Sequence, residues 1–142
     1  MPINSYSVGR DISYSVVTPS GVLTLNGKTG YSVKPMNTEI THKGLSGLNV
    51  RGVIPDGWQI ELQFDRTDAN VDSYFAQLEA DYFAGVNQQG GTIFENIVEK
   101  DGSITSFRYT DVILKYDNAG NWKGDSLIPI SVTAMASRRF QV

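Results

Sequence analysis

Carboxylates are the side chains of this chain with the most obvious catalytic potential. The sequence contains 15 Asp and Glu residues, and a glycosidase needs two carboxyl groups that face one another across a sugar ring. Glu61 with Glu95 or Glu99 would be candidates for such a pair. A solvated strand face explains these residues equally well, and their spacing singles out no pair.

Two polar loops are similar to ligand-binding motifs but differ from them at decisive positions. Residues 21–29 have five residues between their glycines where the phosphate-binding loop has four, and Gly30 follows where a helix should begin. Residues 117–121 begin like a calcium loop, but Trp122 and Ile128 stand where glycine and glutamate are required. We therefore predict a hairpin tip and a turn.

Metal and carbohydrate sites have little support in the sequence. There is no cysteine, and His42 is the only histidine, so a zinc site or a histidine-based triad would depend on that residue alone. Trp58, Trp122 and the seven tyrosines could form a stacking platform for carbohydrate, or they could be packing residues. We expect no cofactor, no metal and no catalysis.

The composition is that of a single globular domain. The 142 residues are enough for a self-standing core, and we expect one domain over residues 1–142 with a loose N-terminal arm over about 1–10. A net charge of −3 argues against a protein that binds nucleic acid by neutralising phosphates. We expect neither a secretion signal nor a membrane segment, because no apolar run approaches spanning length.

The segment from Gly57 to Gly85 is the clearest pair of elements in the chain. Alternation places Trp58, Ile60, Leu62 and Phe64 on one face of a strand, and the opposite face is polar and acidic: Gln59, Glu61, Gln63 and Asp65. The period then changes, which predicts a helix over 68–83 with one apolar stripe of Val71, Phe75, Leu78 and Tyr82. Asp68 or Asn70 could cap this helix, and Gly85 would end it.

The rest of the chain has the patterns of β-strands. A first strand covers residues 12–17, and a glycine-rich hairpin loop at 26–30 is expected to join segments 22–25 and 31–33. The strand-like pattern of residues 37–54 predicts a long, protruding hairpin, and the Pro-Asp-Gly run at 55–57 predicts a tight turn after it. A second hairpin covers 92–116, and the last strand covers 127–136. These patterns predict a mainly β protein: an antiparallel sandwich or barrel of about seven or eight strands with one flanking α-helix.

The order of these elements resembles the bacteriophage tail tube protein. The similarity in layout covers essentially the whole chain, and its specific phrases lie mainly after residue 100: FRYTDVILKY at 107–116, DNAGNWKGD at 117–125 and ASRR at 136–139. The resemblance is to tube proteins of contractile-tailed phages, whose fold is shared with type VI secretion and bacteriocin tubes. It implies a structural virion protein that forms stacked hexameric rings, the conduit for genome ejection, with sheets joined into one continuous barrel.

The resemblance also implies a role for each surface. The wet strand faces would line a lumen through which DNA passes without specific binding, because acidic side chains offer phosphates no contacts; the residues are Glu39, Thr41, Gln59, Glu61, Gln63 and Asp65. Inter-ring stacking would use a glycine-rich loop and a basic end: Lys43, Gly44, Leu45, Ser46, Gly47, Leu48, Arg51, Arg138 and Arg139. The outer, sheath-facing side of the helix would carry Asp72, Gln77, Glu79 and Asp81.

The implied partners are further copies of the chain, a tail sheath, a baseplate and a tail terminator, and the implied location is the virion tail after assembly in the bacterial host cytoplasm. Two alternatives remain open at this point. The same architecture could serve as the tube of a phage-derived injection or secretion machine that passes protein. The chain could instead be a carbohydrate-binding β-sandwich module that uses Trp122 and nearby tyrosines.

Overall fold

The computed structural model describes residues 6–142 as eight antiparallel β-strands, one α-helix and a short 3-10 helix, Gly9–Asp11. The prediction of a mainly β, antiparallel fold with one flanking helix is therefore confirmed. Residues 1–5 of the predicted N-terminal arm lie outside the described part of the chain. The elements are β1 (Ile12–Thr18), β2 (Gly21–Leu23), β3 (Lys28–Lys43), β4 (Asn49–Asp65), α1 (Asn70–Phe83), β5 (Gly91–Val98), β6 (Ile104–Asn118), β7 (Pro129–Ala136) and β8 (Arg138–Gln141).

The strands form one folded sheet that is not closed into a barrel. Their order is β2-β1-β5-β6-β7-β4-β3, and β8 pairs with β6. β6 changes partners along its length: residues 104–112 pair with β5, and residues 113–118 pair with β7. Asp111 lies at this change with a φ of 52°, a left-handed conformation that aspartate tolerates better than most residues. The bend gives a first layer of β1, β2, β5, β8 and the start of β6, and a second layer of β3, β4, β7 and the end of β6.

The hydrophobic core lies between these two layers. The alternation predicted for β4 is confirmed, since Ile60, Leu62 and Phe64 are almost fully buried. Each such side chain contributes about 1.5–3 kcal/mol to folding by leaving water. The first layer contributes residues of β1, β5 and β6, and the second layer adds residues of β6 and β7; the chief ones are Tyr14, Val16, Ile93, Tyr109, Leu114, Ile130, Val132 and Ala134.

Two predicted turns are wrong, and one strand was not predicted. Residues 26–30 do not form a hairpin tip, because β2 pairs with β1 while β3 pairs with β4 in the other layer. Residues 55–57 do not end a strand: β4 continues through them with a bulge at Asp56. Gly57 has a φ of 119°, and a Cβ there would lie 2.5 Å from the carbonyl oxygen of Ala136. β8 was missed because its four residues, two of them arginine, show no alternation of apolar side chains.

The helix packs against the end of β6. It begins at Asn70, whose backbone N–H donates to the Asp68 carboxylate at 3.1 Å, and it ends at Phe83, just before Gly85 with a φ of 90°. Val71 is buried, and the Phe75 ring stacks on the Tyr116 ring at 4.5 Å. The last member of the predicted stripe, Tyr82, is exposed. The helix therefore contacts the sheet mainly through its first two turns.

A buried carboxylate is built into the first layer. Glu95 is 3% exposed, between the core residue Ile93 and the half-buried Ile97 on the same face of β5. The Tyr109 hydroxyl donates to its carboxylate at 2.6 Å. Burial, reinforced by this bond to Glu95, raises the pKa of Tyr109 above its ordinary value, so the phenol stays protonated and remains a donor.

Removing this donor is expected to destabilise the subunit. Tyr109→Phe keeps the ring but leaves the Glu95 carboxylate without its hydroxyl partner, and we expect the free energy of unfolding to fall by about 2–3 kcal/mol. Urea denaturation measures the change. Glu61→Gln, on an exposed strand position, is the control, with an expected change within about 0.5 kcal/mol. If Tyr109→Phe matched the wild type in stability, the bond would not support the core.

Candidate assembly surfaces

The second layer turns a polar face away from the core. Gln59, Glu61, Gln63 and Asp65 alternate with the buried residues of β4, and Glu61 and Gln63 are exposed while the other two are half-buried. The register extends this face across the neighbouring strands, because paired residues of adjacent strands point to the same side. It adds Ser32 and Lys34 of β3, Ser131 and Thr133 of β7, and Lys115 of β6.

The charge of this polar face is mixed. Its carboxylates are Glu61, Asp65 and Asp117, and the Asp117 carboxylate accepts a hydrogen bond from the Thr133 hydroxyl. The Lys115 ammonium lies 3.8 Å from the Asp117 carboxylate, and Lys34 of β3 is directly opposite Gln59 of β4. Three carboxylates against two lysines leave a small acidic excess. Sequence reasoning missed both lysines, because alternation within one strand does not show which residues of other strands lie beside it.

Glu39 and Thr41 do not share this polar face. Between Gly30 and Lys43, β3 has no bulge, so Glu39 and Thr41 lie on the same side as Tyr31 and Val33, which pack on the core. Ser32 and Lys34 lie on the opposite side, with Gln59 and Glu61. Glu39 and Thr41 therefore do not share the side of Gln59 and Glu61, and their predicted place in a lumen stays a prediction. Their side is set by the alternation of β3 itself, so the bulge at Asp56 in β4 does not change it.

A two-stranded hairpin projects beyond the rest of the sheet. β4 pairs with β7 only from Trp58 to Asp65, so residues 37–55, here called the arm, pair only with one another. An isolated two-stranded hairpin is marginally stable in water. The arm nevertheless exposes six large apolar side chains, namely Ile40, Leu45, Leu48, Val50, Val53 and Ile54. Such a concentration of exposed apolar surface marks a site of protein contact.

The arm tip is a compact turn with a basic and apolar surface. The Gly44 N–H donates to the Leu48 carbonyl at 3.1 Å, the Gly47 N–H donates to the Gly44 carbonyl at 3.0 Å, and Gly47 has a φ of 83°. Leu45 is fully exposed and Leu48 is 71% exposed. Lys43 and Arg51 flank the turn, and residues 40–54 include no Asp or Glu. The stacking residues predicted at 43–48 and 51 thus lie together on this tip.

The two arginines predicted for stacking lie apart from the tip and differ from one another. Arg139 is half-buried, with its guanidinium 3.5 Å from the centre of the Phe107 ring and 4.8 Å from that of Trp58. It therefore packs inside the subunit. Arg138 is exposed over Phe140, just after the end of β7 that pairs with the base of the arm. Of the two arginines, only Arg138 is exposed, and the stacking role of both stays a prediction.

Three of the four predicted residues lie on two different sides of α1, because Glu79 is about 200° around the helix axis from Gln77. Gln77 and Glu79 are exposed, and the Gln77 amide donates to the half-buried Asp81 at 2.8 Å. Asp72 is different, because its carboxylate accepts from the Tyr116 hydroxyl at 2.5 Å and from Arg66 at 3.0 Å. The Tyr116 bond, with Arg66, holds the pKa of Asp72 below its usual value. Asp72 fastens the helix to the sheet, and its predicted contact with a sheath stays a prediction.

The second layer has two edges that could pair with another chain. The outer side of β3 has no strand partner within the described residues. At residues 113–118, β6 pairs with β7 on one side only. The Gln88 side chain covers part of this β6 edge, when its amide is oriented so that the nitrogen donates to the Leu114 carbonyl at 3.2 Å and the oxygen accepts from the Leu114 N–H at 3.0 Å. An open edge is a template for strand pairing.

The structure separates the residues of the alternative sites. Glu95 points into the core and Glu61 points out of the second layer, so these two cannot face one another across a sugar. Trp58 is half-buried beneath Arg139, whereas Trp122 lies near Arg66 beyond the other end of β4. The two rings therefore form no common platform. Across residues 6–142, no cluster of three or more potential ligand side chains is suited to a metal ion.

The described part of the chain has no helix that is long and apolar enough to cross a membrane.

The folded chain is similar to known tube and cap structures. No protein-family model and no curated protein matches its sequence. The anti-feeding prophage tube-terminating cap aligns with a TM-score of 0.64 and 10% identity over 100% of this chain and 94% of that chain. A chain of the extended sheath–tube complex of the PVC extracellular contractile injection system aligns with a TM-score of 0.60 and 12% identity, over 99% and 91%. The SPP1 tail tube aligns with a TM-score of 0.59 and 12% identity, over 96% of this chain and 78% of that chain.

At these identities the likeness concerns the fold. It covers 96–100% of this chain in the three cases. The resemblance stated from the order of elements is thereby confirmed at the level of structure. The chain has the tail-tube fold.

Proposed function

We propose that this chain is a structural subunit of a tail tube, in which six copies form a ring and the rings stack. The observation that carries the proposal is the second layer, which combines a polar outer face, two edges open to pairing and a projecting apolar arm. These features suit a subunit that is completed by its neighbours. The similarity in fold to tube and cap structures supports the same role. The role is structural and needs no catalysis.

Ring closure joins the free edge of β3 in one copy to residues 113–118 of β6 in the next. The second layer of each copy then contributes four strands to a continuous barrel, and neither of its two edges stays open. In the free subunit the Gln88 amide is hydrogen-bonded to the backbone N–H and carbonyl of Leu114. These two bonds must break before a neighbouring β3 can pair with this part of β6. This exchange replaces two side-chain bonds with backbone bonds and favours the closed ring.

The polar face lines the channel of the assembled tube. Gln59, Glu61, Gln63 and Asp65 repeat around the ring and offer no strong site for phosphate, because Lys34 and Lys115 are outnumbered by carboxylates. At physiological ionic strength these charges act over about 8 Å. DNA therefore slides past the wall without being held. Glu39 and Thr41 lie on the other face of β3.

The outer surface of the tube is the solvent-exposed part of α1, which carries Gln77 and Asp81 on one side and Glu79 on another. It faces a sheath in a contractile tail, and the two ends of the tube meet a baseplate and a tail terminator. The particle is assembled in the bacterial host cytoplasm and the chain ends in the virion tail, where the tube is the conduit for genome ejection during host entry.

A second candidate is the tube of a phage-derived injection machine that passes protein. The mixed charge of the polar face supports this candidate, because Lys34 and Lys115 make the channel less acidic than a wall of carboxylates alone. The two candidates share ring closure and stacking, and they differ only in cargo. The carbohydrate-binding alternative, which uses Trp122 and nearby tyrosines, gains nothing from Trp58, because Trp58 lies within β4 and Trp122 lies beyond its C-terminal end.

Sedimentation over a range of protein concentrations tests the proposed assembly. We expect a monomer at low concentration and a transition to ring-sized and longer particles as the concentration rises, with open-centred rings in negative stain. A proline at Val33, whose N–H points away from β4 as the nitrogen of Pro35 does, removes a donor from the free β3 edge and is expected to stop closure at small oligomers. A protein that stays monomeric at every concentration would contradict the proposal.

A further inference from the structure

The subunit has a second apolar surface at the end opposite the arm. β4 spans about 50 Å at the usual rise per residue, with the arm at its start and Asp65 at its end. Residues 119–128 lie beside that end, because the Arg66 N–H donates to the Ile128 carbonyl at 2.9 Å and Asp65 pairs with Pro129. We call residues 65–68 together with 119–128 the far pole.

The far pole holds two large apolar side chains in the solvent. Trp122 is 68% exposed and Leu127 is 72% exposed. The loop that carries them is nonetheless ordered by specific contacts. The Gly120 N–H donates to the Asn118 side chain at 2.9 Å, and the Arg66 guanidinium lies 5.5 Å from the centre of the Trp122 ring. At Gly120, with a φ of 129°, a Cβ would lie 2.9 Å from Ile128 and 3.1 Å from the Trp122 indole nitrogen, so the turn requires glycine.

The charge of the far pole is opposite to that of the arm tip. Its carboxylates are Asp65, Asp68 and Asp125, against Lys123 and an Arg66 that is already paired with Asp72 at 3.0 Å. A hydrogen bond from the Asn70 N–H, with one from Asn26, lowers the pKa of Asp68, so that this carboxylate stays charged. The arm tip has Lys43 and Arg51 and no acidic residue from 40 to 54. The two surfaces therefore match in both apolar character and charge.

We propose that the arm tip of one copy of this chain docks on the far pole of another copy, with Leu45 and Leu48 against Trp122 and Leu127, and with Lys43 and Arg51 facing Asp68 and Asp125. The contact rests on the proposed stacking of rings, which brings the end of β4 that bears the arm to the opposite end of β4 in the next ring. It is heterologous, since each copy offers one of each surface. Such a contact repeats without limit along a tube.

The first test removes the apolar surface of the far pole. The double variant Trp122→Ser with Leu127→Ser is expected to form rings but to need at least about a 100-fold higher protein concentration for tubes, as measured by sedimentation and negative stain. Val22→Ser with Phe83→Ser is the matched control, because these side chains are 68% and 79% exposed and lie outside both surfaces. The control should form tubes at the wild-type concentration.

The second test restores the contact with reversed charges. Lys43→Glu with Arg51→Glu is expected to prevent tube growth, and adding Asp68→Lys with Asp125→Lys in the same chain is expected to restore it. Because Asp68 also caps α1, circular dichroism checks that the fourfold variant is folded. A folded fourfold variant that forms no tubes would overturn the charge pairing.

The outcomes separate this inference from the proposed function. Wild-type tubes together with normal tubes from the Trp122 and Leu127 variant would overturn the docking site and leave the tube assignment intact. A wild-type chain that forms neither rings nor tubes would overturn the proposed function itself. The emission of Trp122 gives a further readout: it should shift to shorter wavelength when tubes form, and this shift should be absent from Trp122→Phe.

Discussion

Replacing Leu45 and Leu48 with serine is expected to stop tube growth without unfolding the subunit. Both leucines project from the arm tip and are 111% and 71% exposed, so the folded subunit loses almost no buried surface and its unfolding free energy should change by less than about 0.5 kcal/mol. In the stacked tube each buried leucine contributes about 1.5–3 kcal/mol. Losing both from every arm should raise the concentration needed for tubes by more than about 100-fold.

The control for this experiment replaces apolar residues elsewhere on the arm. Val53 is 62% exposed and lies on the opposite face from Val50 and Ile54, so Val53→Ser tests whether exposed apolar surface on the arm matters in general or at the tip in particular. We expect a smaller effect from Val53→Ser. Sedimentation gives the concentration for tubes, and urea denaturation gives the stability of each variant. Wild-type tubes from the Leu45 and Leu48 variant would remove the arm tip from the stacking contact.

Replacing Glu61 and Asp65 with lysine is expected to give tubes that retain DNA. The wild-type polar face has three carboxylates and two lysines, and the variant would have four lysines and the single carboxylate of Asp117. Such a wall neutralises phosphates, so DNA should stay in the channel at low salt and be released as the salt concentration rises. The subunit should fold normally because Glu61 is exposed and Asp65 half-buried.

Nuclease protection distinguishes the channel from the outside of the tube. DNA inside the lysine variant should resist digestion and should be released between about 50 and 200 mM salt. The control places lysine on the exposed surface of α1 with Gln77→Lys and Glu79→Lys, which should bind DNA that the nuclease can digest. If the Glu61 and Asp65 variant failed to fold, or if it left its DNA open to digestion, these residues would not line a channel.

The strongest local patterns of the sequence predicted the elements well. Period-two alternation predicted the second half of β4 and its buried residues, because the core covers one face of that strand where it pairs with β7. The change to a helical period gave α1 within two residues at its start, since the Asp68 cap and Gly85 mark its ends. Alternation, helical period and helix-end residues are local features, so a short stretch of sequence is enough to show them.

Relations between segments were predicted poorly. The position of β2 beside β1 and the partner change at Asp111 depend on contacts across the fold and leave little local trace. The same dependence on tertiary contacts explains two residues that were predicted on the surface. Asp72 accepts a hydrogen bond from the Tyr116 hydroxyl, and the Arg139 guanidinium lies over the Phe107 ring. Glu39 and Thr41 were grouped with the β4 residues because the sequence alone does not show which side of β3 faces the core.

Cryo-electron microscopy of tubes grown from the purified chain would show how the copies meet and which residues face the channel. We expect stacked rings of six copies, with Gln59, Glu61, Gln63 and Asp65 on the wall of an open channel and the β3 edge of each copy paired to residues 113–118 of β6 in the next. A map in which the polar face packs against another protein surface, or in which the copies meet through other edges, would contradict this arrangement.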